Sequence, residues 1–263
     1  MLRSFKALAV FCGLLIGGAY SATGAIPAAD QEKSFTAEQV AESTIFVYGS
    51  RPVLEQIRRN GLERGRITRF TSDGKTEEAM YERRFVRGEN SDKDKIRLDQ
   101  KMPAMEYSLI YGEGRLWGLI NGAGFTPRQD AATTFLSQHH HSIDTLLRYK
   151  ENGSTITLSG KDKQKGLDLY ILDLVDKDKR STRYYISVKT LHVLWLEYEE
   201  PSAPGAPPIK YTRKFLDYRY AQSTLVPYRS VLLEDGKQTQ ETRILTVTFG
   251  IKIDDSLFKN PEA

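Results

Sequence analysis

The sequence predicts an α+β protein built on one large antiparallel sheet with a few helices. From residue 62 onward the apolar residues recur mostly with a period of two, which is typical of strands. Short turns that carry Gly, Asp or Pro separate these segments, so neighbours in sequence should pair antiparallel. The pattern yields about ten strands, more than a flat open sheet usually sustains, and we expect the sheet to curl.

The elements follow in order. Thr36 is a predicted cap for a first helix, and a second begins near Ser50 with Pro52 in its first turn. A hairpin turns on Asp73-Gly74, and a third helix over 127–148 follows Thr126 as cap and Pro127 at its first position. The predicted strands are 67–70, 79–86, 95–98, 107–111, 115–120, 154–160, 167–175, 182–189, 191–199, 209–220, 225–234 and 242–253.

Length and composition limit the function classes. The chain has 263 residues, 40% of them apolar, which suits one domain with a real core. Its 11 Phe, 14 Tyr and 2 Trp exclude low-complexity disorder. With 38 Lys and Arg against 34 Asp and Glu, the net charge of +4 gives no reason to expect nucleic acid.

The N-terminus carries the pattern of a cleaved export signal. Residues 1–6 are short and basic, 7–16 are continuously apolar, and small residues follow at 19–25. The apolar stretch is shorter than the roughly 20 residues that span a bilayer. We therefore expect a signal peptide at 1–25, a flexible leader at 26–33, and a single domain at 34–263 that is soluble in the periplasm. Removing Cys12, the one cysteine, would leave no thiol for a disulfide, catalysis or metal.

The apolar faces suggest where a ligand could lie. Alternation over 242–253 predicts one covered face on the last strand, and the third helix offers apolar side chains to meet it. A curled sheet over three short helices can leave an apolar gap; a fully packed core is the alternative. Two tryptophans fit a ligand wall or a packed core equally well. The candidate cavity residues are Trp117, Phe135, Leu136, Leu146, Trp195, Leu245, Val247 and Phe249.

The C-terminal third resembles a known family. The matching segments are 182–190 (TRYYISVKT), 193–198 (VLWLEY), 215–219 (FLDYR), 225–229 (LVPYR) and 253–258 (IDDSLF). Over residues 180–261 they resemble the LolA/LolB-like outer-membrane lipoprotein carriers, a superfamily that includes RseB-like exported proteins. Ser187 and Leu194 depart from the acidic and basic residues common there. The resemblance implies a strongly curved sheet, an incomplete β-barrel, with helices covering its concave face over a cavity for acyl chains.

Catalytic and metal-binding patterns are weak. His139, His140 and His141 are consecutive, so on a helix they point about 100° apart, and we expect a solvated helix face rather than a metal site. Asp254 and Asp255 are better explained as a turn than as a catalytic pair. The sequence contains no nucleophile elbow, zinc-protease motif or phosphate-binding loop. We therefore expect no enzyme activity, cofactor or metal.

These observations favour a monomeric carrier that holds a lipid, a lipoprotein acyl chain or another amphiphile under a movable lid, the helix over 127–148. The alternative is a periplasmic sensor or interaction module whose core is filled and whose surface binds an envelope membrane protein. A hydrolase ranks third.

Overall fold

The computed structural model describes residues 35–103, 105–164, 166–202 and 205–259. The predicted signal peptide and leader lie outside the described residues, as does Cys12. The described part is one antiparallel sheet of 13 strands with four α-helices. None of its helices is long and apolar enough to cross a membrane.

The sheet forms from two runs of strands that meet in its middle. Its order is β6-β5-β4-β3-β2-β1-β13-β12-β11-β10-β9-β8-β7, so the two strands at its edges are β6 and β7 and the sheet is not closed into a barrel. The predicted large antiparallel sheet in an α+β protein is confirmed. The strands are β1 Asn60–Phe70, β2 Thr76–Val86, β3 Lys95–Lys101, β4 Glu106–Gly112, β5 Arg115–Ile120, β6 Ala123–Phe125, β7 Thr155–Gln164, β8 Leu167–Val175, β9 Ser181–Ser187, β10 Val193–Glu200, β11 Ile209–Ala221, β12 Thr224–Glu234 and β13 Lys237–Phe249.

Helices α1 and α2 precede the sheet as predicted. Helix α1, Ala37–Tyr48, begins at a capping box in which Thr36 and Gln39 each accept a hydrogen bond from the other's backbone N–H. Helix α2, Arg51–Ile57, has Pro52 in its first turn. Both predicted helix starts are therefore confirmed.

The predicted single helix over 127–148 is wrong. It is two helices, α3 Gln129–His140 and α4 Ile143–Leu147, and α3 is capped by Arg128 rather than Thr126. The break lies at His141, whose ψ of 76° leaves the helical region. Ser142 then accepts a hydrogen bond from the Thr145 N–H and starts a new helix.

A β-bulge changes which residues of β13 face the helices. Arg64 of β1 pairs with Thr246, but the next residue, Gly65, pairs with Ile244, so Leu245 has no partner on β1. The alternation shifts by one, and Leu245 is 58% exposed. The predicted covered position of Leu245 is wrong for this reason. Strand β13 also ends at Phe249, four residues earlier than expected.

The inner face of the sheet packs differently along its width. We call β7–β10 with α1 and α4 the filled half, because they share a continuous core. That core includes Val40, Ala41, Ile45, Tyr48, Leu146, Leu147, Leu172, Leu174, Tyr184, Ile186, Val193 and Leu196, each at most 2% exposed. We call β1–β4 and β11–β13 with α3 the cavity half. Its buried cluster is small: Phe85, Ile96, Tyr111, Val226 and Phe249.

Candidate ligand cavity

The cavity half encloses a space of about 620 Å³ between the sheet and α3. That volume lies within the roughly 300–1,000 Å³ of small-molecule sites. Its wall is apolar over much of its area because inward positions of β1–β4 and β11–β13 carry aliphatic and aromatic side chains. The apolar lining includes Ile67, Phe85, Ile96, Leu98, Leu109, Phe135, Phe215, Val226, Leu232 and Ile244.

Four of the eight predicted cavity residues lie at or beside this space. Phe135, on α3, lines it. Leu136 and Val247 are half-buried against the small cluster of the cavity half. Phe249 is a member of that cluster, 4% exposed, with its ring centroid 6.3 Å from that of Phe85. Phe249 is therefore packed beneath the cavity rather than open to it.

The other four lie elsewhere. Leu146 is fully buried in the filled half, and Leu245 faces outward at the bulge. Trp195 stacks on Tyr185 with ring centroids 4.6 Å apart, on the sheet face opposite the core residues Tyr184 and Leu196. Trp117 pairs with Ile110 of β4. Leu109, the residue before Ile110, lines the cavity, so Ile110 and Trp117 lie on the opposite face of the sheet. Neither tryptophan is part of the cavity lining.

Helices α3 and α4 are held to the sheet with very different strength. In α4, Leu146 and Leu147 are buried in the filled half, and the Tyr184 hydroxyl donates to the carbonyl of Ser142 at 2.8 Å. In α3 the buried residue is Ser137, and Phe135 is half-buried at the cavity. The aliphatic core contacts are therefore more extensive for α4 than for α3.

A buried ion cluster fixes the base of α4. Asp144 lies 2.6 Å from the guanidinium of Arg87 and 3.1 Å from that of Arg58. Burial by itself raises the pKa of Asp144, but the positive charges of Arg87 and Arg58 outweigh it and hold that pKa well below its usual range. Asp144 therefore joins α4 to the ends of α2 and β2 as a carboxylate.

Two strands present the same charged pattern to the cavity. Tyr81, Arg83 and Phe85 alternate on β2, and Tyr211, Arg213 and Phe215 alternate on β11; all six line the cavity. The Tyr81 hydroxyl donates to Glu63 at 2.5 Å, and the Tyr211 hydroxyl donates to Glu234 at 3.3 Å. Each arginine lies over the following phenylalanine, with Cζ 4.9 Å from the Phe85 centroid and 5.5 Å from the Phe215 centroid.

Arg83 and Arg213, which we call the arginine pair, were not predicted. A sequence signal for them exists: Tyr-x-Arg-x-Phe occurs on both strands, with the arginine on the same face as two aromatic residues. Burial is the main cause that lowers the pKa of Arg213, and the nearby charge of Arg83 acts in the same direction. Because a guanidinium keeps its proton in proteins, both charges remain inside the cavity.

The three histidines are not a solvated helix face, and that expectation is wrong. His141 is 2% exposed, stacks on Tyr198 at 4.0 Å and contacts Thr182 Oγ1 through Nδ1 at 2.7 Å. Burial lowers the pKa of His139, and it lowers that of His140 to about 3. Among the residues that the structure describes, no three His, Cys, Asp or Glu side chains are grouped to hold a metal ion.

The sequence matches no protein-family model and no curated protein. Its fold, however, matches solved structures. A LolA superfamily protein from Nitrosomonas europaea is 11% identical with a TM-score of 0.60, over 88% of this chain and 100% of that one. A DUF1329 family protein from Desulfovibrio piger is 11% identical with a TM-score of 0.60, over 86% and 97%.

A domain described as an outer-membrane lipoprotein-sorting protein from Vibrio parahaemolyticus is 11% identical with a TM-score of 0.57, over 85% of this chain and 96% of that one. These matches confirm the LolA-type fold that the sequence resemblance implied. At 11% identity they concern the fold alone.

Proposed function

We propose that this protein is an exported carrier that holds the apolar part of a lipid, a lipoprotein acyl chain or another amphiphile in the cavity of about 620 Å³. The observation that carries the proposal is the contrast between a spacious cavity, whose wall combines apolar and charged side chains, and the packed core beside it. Transfer of an acyl chain from water into such a cavity is favourable by roughly 25 cal/mol for each Å² buried.

Helix α3, which lacks the aliphatic core contacts of α4, would supply a route for entry. It covers the cavity through Phe135, and polar contacts hold it elsewhere: Ser137 donates to Glu200, and His139 Nε2 lies 3.1 Å from the Ser91 carbonyl oxygen. Outward movement of α3 would open the cavity while α4 stays fixed by Leu146, Leu147 and the Asp144 ion cluster. Delivery of the cargo would then need a donor and an acceptor in the envelope, which agrees with the export signal that the sequence predicts at residues 1–25.

The likeness to lipoprotein-sorting folds supports this proposal. The protein from Vibrio parahaemolyticus is described as an outer-membrane lipoprotein-sorting domain, and its fold is similar to this one with a TM-score of 0.57. A carrier function is consistent with the buried histidines, which are engaged in packing rather than arranged as a catalytic group.

The test fills the cavity by substitution. Ile244→Trp adds a large side chain to the cavity wall, whereas Leu245→Trp adds the same side chain at the exposed bulge position. We expect the purified parent to bind a neutral probe, dansyl-undecanoic acid methyl ester, with enhanced fluorescence. Ile244→Trp should weaken this binding at least tenfold, and Leu245→Trp should leave it within about twofold.

Failure of the parent to bind the neutral probe, or equal binding by both variants, would contradict the carrier proposal. Native mass spectrometry of the parent followed by organic extraction is the second measurement, and a co-purifying lipid is the expected result.

A further inference from the structure

We propose that Arg83 and Arg213 together bind the anionic group, a carboxylate or a phosphate, of the amphiphile whose apolar part fills the cavity. This inference rests on the proposed function and adds the chemical class of the cargo. It starts from the repeated Tyr-x-Arg-x-Phe pattern, which places one cationic side chain from β2 and one from β11 at the same apolar space.

The arginine pair lacks the side-chain partners that other arginines near it have. Arg58 and Arg87 share Asp144, Arg148 lies 2.9 Å from the buried carboxylate of Asp94, and Arg69 donates to the side-chain oxygen of Gln100. Within the described ranges, by contrast, no carboxylate oxygen lies within 4.0 Å of a guanidinium nitrogen of Arg83 or Arg213. Two positive charges in a partly dry space without a directly paired carboxylate are unfavourable, and an anionic ligand would relieve this.

The nearby acidic side chains are already engaged. Glu63 accepts from Tyr81 and Glu234 accepts from Tyr211, and burial raises the pKa of both phenols, which keeps them protonated as donors. The tyrosines thus hold these carboxylates beside the arginine pair without bringing either into contact with it. A ligand oxyanion could approach the guanidinium groups without displacing a protein ion pair.

The guanidinium groups are also oriented. Each has its Cζ within 5.5 Å of a phenyl ring centroid, a cation–π contact that holds the group in place, and the N–H groups of a guanidinium suit a planar carboxylate or a phosphate. Arg213 donates from Nη1 to the carbonyl of Gln138 on α3, but the bond is long, at 3.5 Å. An anion could therefore replace this contact with the lid at small cost.

The test compares two probes with the same fluorophore and acyl chain, dansyl-undecanoic acid, which is anionic, and its methyl ester, which is neutral and one methyl group larger. We expect the parent to bind the acid at least about tenfold more tightly than the ester, as charge-assisted hydrogen bonds would require. Arg83→Gln and Arg213→Gln should each remove most of this preference while binding of the ester stays within about twofold. The matched controls are the next residues in the chain, Arg84→Gln and Lys214→Gln, which lie on the opposite face and should preserve the preference.

Competition with inorganic phosphate identifies the source of the anion. Displacement of the acid would support the arginine pair as a general oxyanion site, and no displacement by phosphate would support an anion that must arrive on an acyl chain. The proposal is overturned if the parent binds acid and ester equally, or if the controls change the preference as much as the arginine-pair variants do.

The parent's acid-to-ester ratio needs no variant, so misfolding of a variant cannot leave the question open. Ester binding without any acid preference would refute the arginine pair and leave the carrier standing. Failure of both probes would refute the carrier itself.

Discussion

The filled half and the cavity half are parts of one continuous sheet, yet the packing on their inner faces differs. In the filled half, inward residues such as Leu172 and Leu196 are completely buried against α1 and α4. In the cavity half, inward positions of β2 alternate aromatic and cationic side chains, and α3 covers them without filling the space.

The difference shows how such a sheet can combine stability with binding. Burial of aliphatic side chains stabilises the filled half and fixes α4. The cavity half has less of this packing and instead contains an open volume and charged side chains. The hydrogen bonds differ as well. In the filled half, the Tyr48 hydroxyl donates to the Tyr218 hydroxyl at 2.9 Å and accepts from the backbone N–H of Val193 at 3.3 Å. Arg83 and Arg213 have no comparable closed set of partners among the described residues.

The largest effect should come from the ion cluster at the boundary of the two halves. Asp144→Asn keeps the shape but leaves Arg58 and Arg87 buried without their carboxylate. We expect the free energy of unfolding to fall by about 3–5 kcal/mol, measured by urea denaturation. Asp130→Asn is the control, because its ion pair with Arg128 is exposed on both sides and should change stability by under about 0.5 kcal/mol. A loss under about 1 kcal/mol in Asp144→Asn would mean that this cluster does not hold α4.

Matched leucine truncations should separate the halves next. Leu172, on β8, is fully buried, whereas Leu98, on β3, is half-buried at the cavity wall. We expect Leu172→Ala to lower the free energy of unfolding by about 3–4 kcal/mol and Leu98→Ala by about 1 kcal/mol. The difference arises because a hole in close packing loses contacts on every side, while a wall residue already lacks them on one. Similar losses at the two positions would show that the cavity is closed by packing in solution.

Much of the secondary structure in both halves could be predicted from the sequence, because its signals are local. The Thr36 cap, the Asp73-Gly74 hairpin and the alternating strands of the C-terminal third depend on neighbours within a few residues. The bulge at Leu245 could not be predicted, since it depends on how β1 pairs with a strand about 180 residues away. Gly65, at this bulge, has no room for a side chain, because a Cβ there would lie 2.2 Å from the Arg243 carbonyl oxygen and 2.6 Å from the Tyr81 ring.

The cavity was harder to predict for a related reason. Alternation along a strand tells which residues lie on the same face of the sheet. Whether that face is packed against other side chains depends on the helices, and their positions depend on the whole chain. Phe135 lies on α3 at the cavity wall, whereas Leu146 follows the helix break at His141 and belongs to the packed core. The arginine pair was overlooked because charged residues are ordinarily assigned to the wet face.

Removing a charge from the cavity should raise the free energy of unfolding, whereas removing one from the ion cluster should lower it. Arg213 lies in a desolvated position without a carboxylate within 4.0 Å among the described residues. We expect Arg213→Leu to raise the free energy of unfolding by about 1 kcal/mol, because an apolar side chain suits this environment better. Thermal and urea denaturation of the ligand-free protein would measure it. A loss of 1 kcal/mol or more would indicate that Arg213 supports the fold.

The smallest effect is an acid-dependent one at the rim of the filled half. Hydrogen bonding from Arg51, 2.8 Å away, is the main cause that lowers the pKa of Glu42 from 4.5 to about 2. Because the folded-state pKa lies below the unfolded one, the contribution to stability is present above about pH 4.5 and is lost as the pH falls toward 2. Since both side chains are partly exposed, we expect this contribution to the free energy of unfolding to be under about 1 kcal/mol.

The free energy of unfolding, measured at several pH values, should fall less steeply with decreasing pH for Glu42→Gln than for the parent. Arg51→Leu should reduce the slope by a smaller amount, because Lys150 and Tyr149 still contact Glu42, and the double variant should match Glu42→Gln. An unchanged slope in both single variants would contradict the ion pair and place the acid sensitivity of the protein in the Asp144 cluster instead.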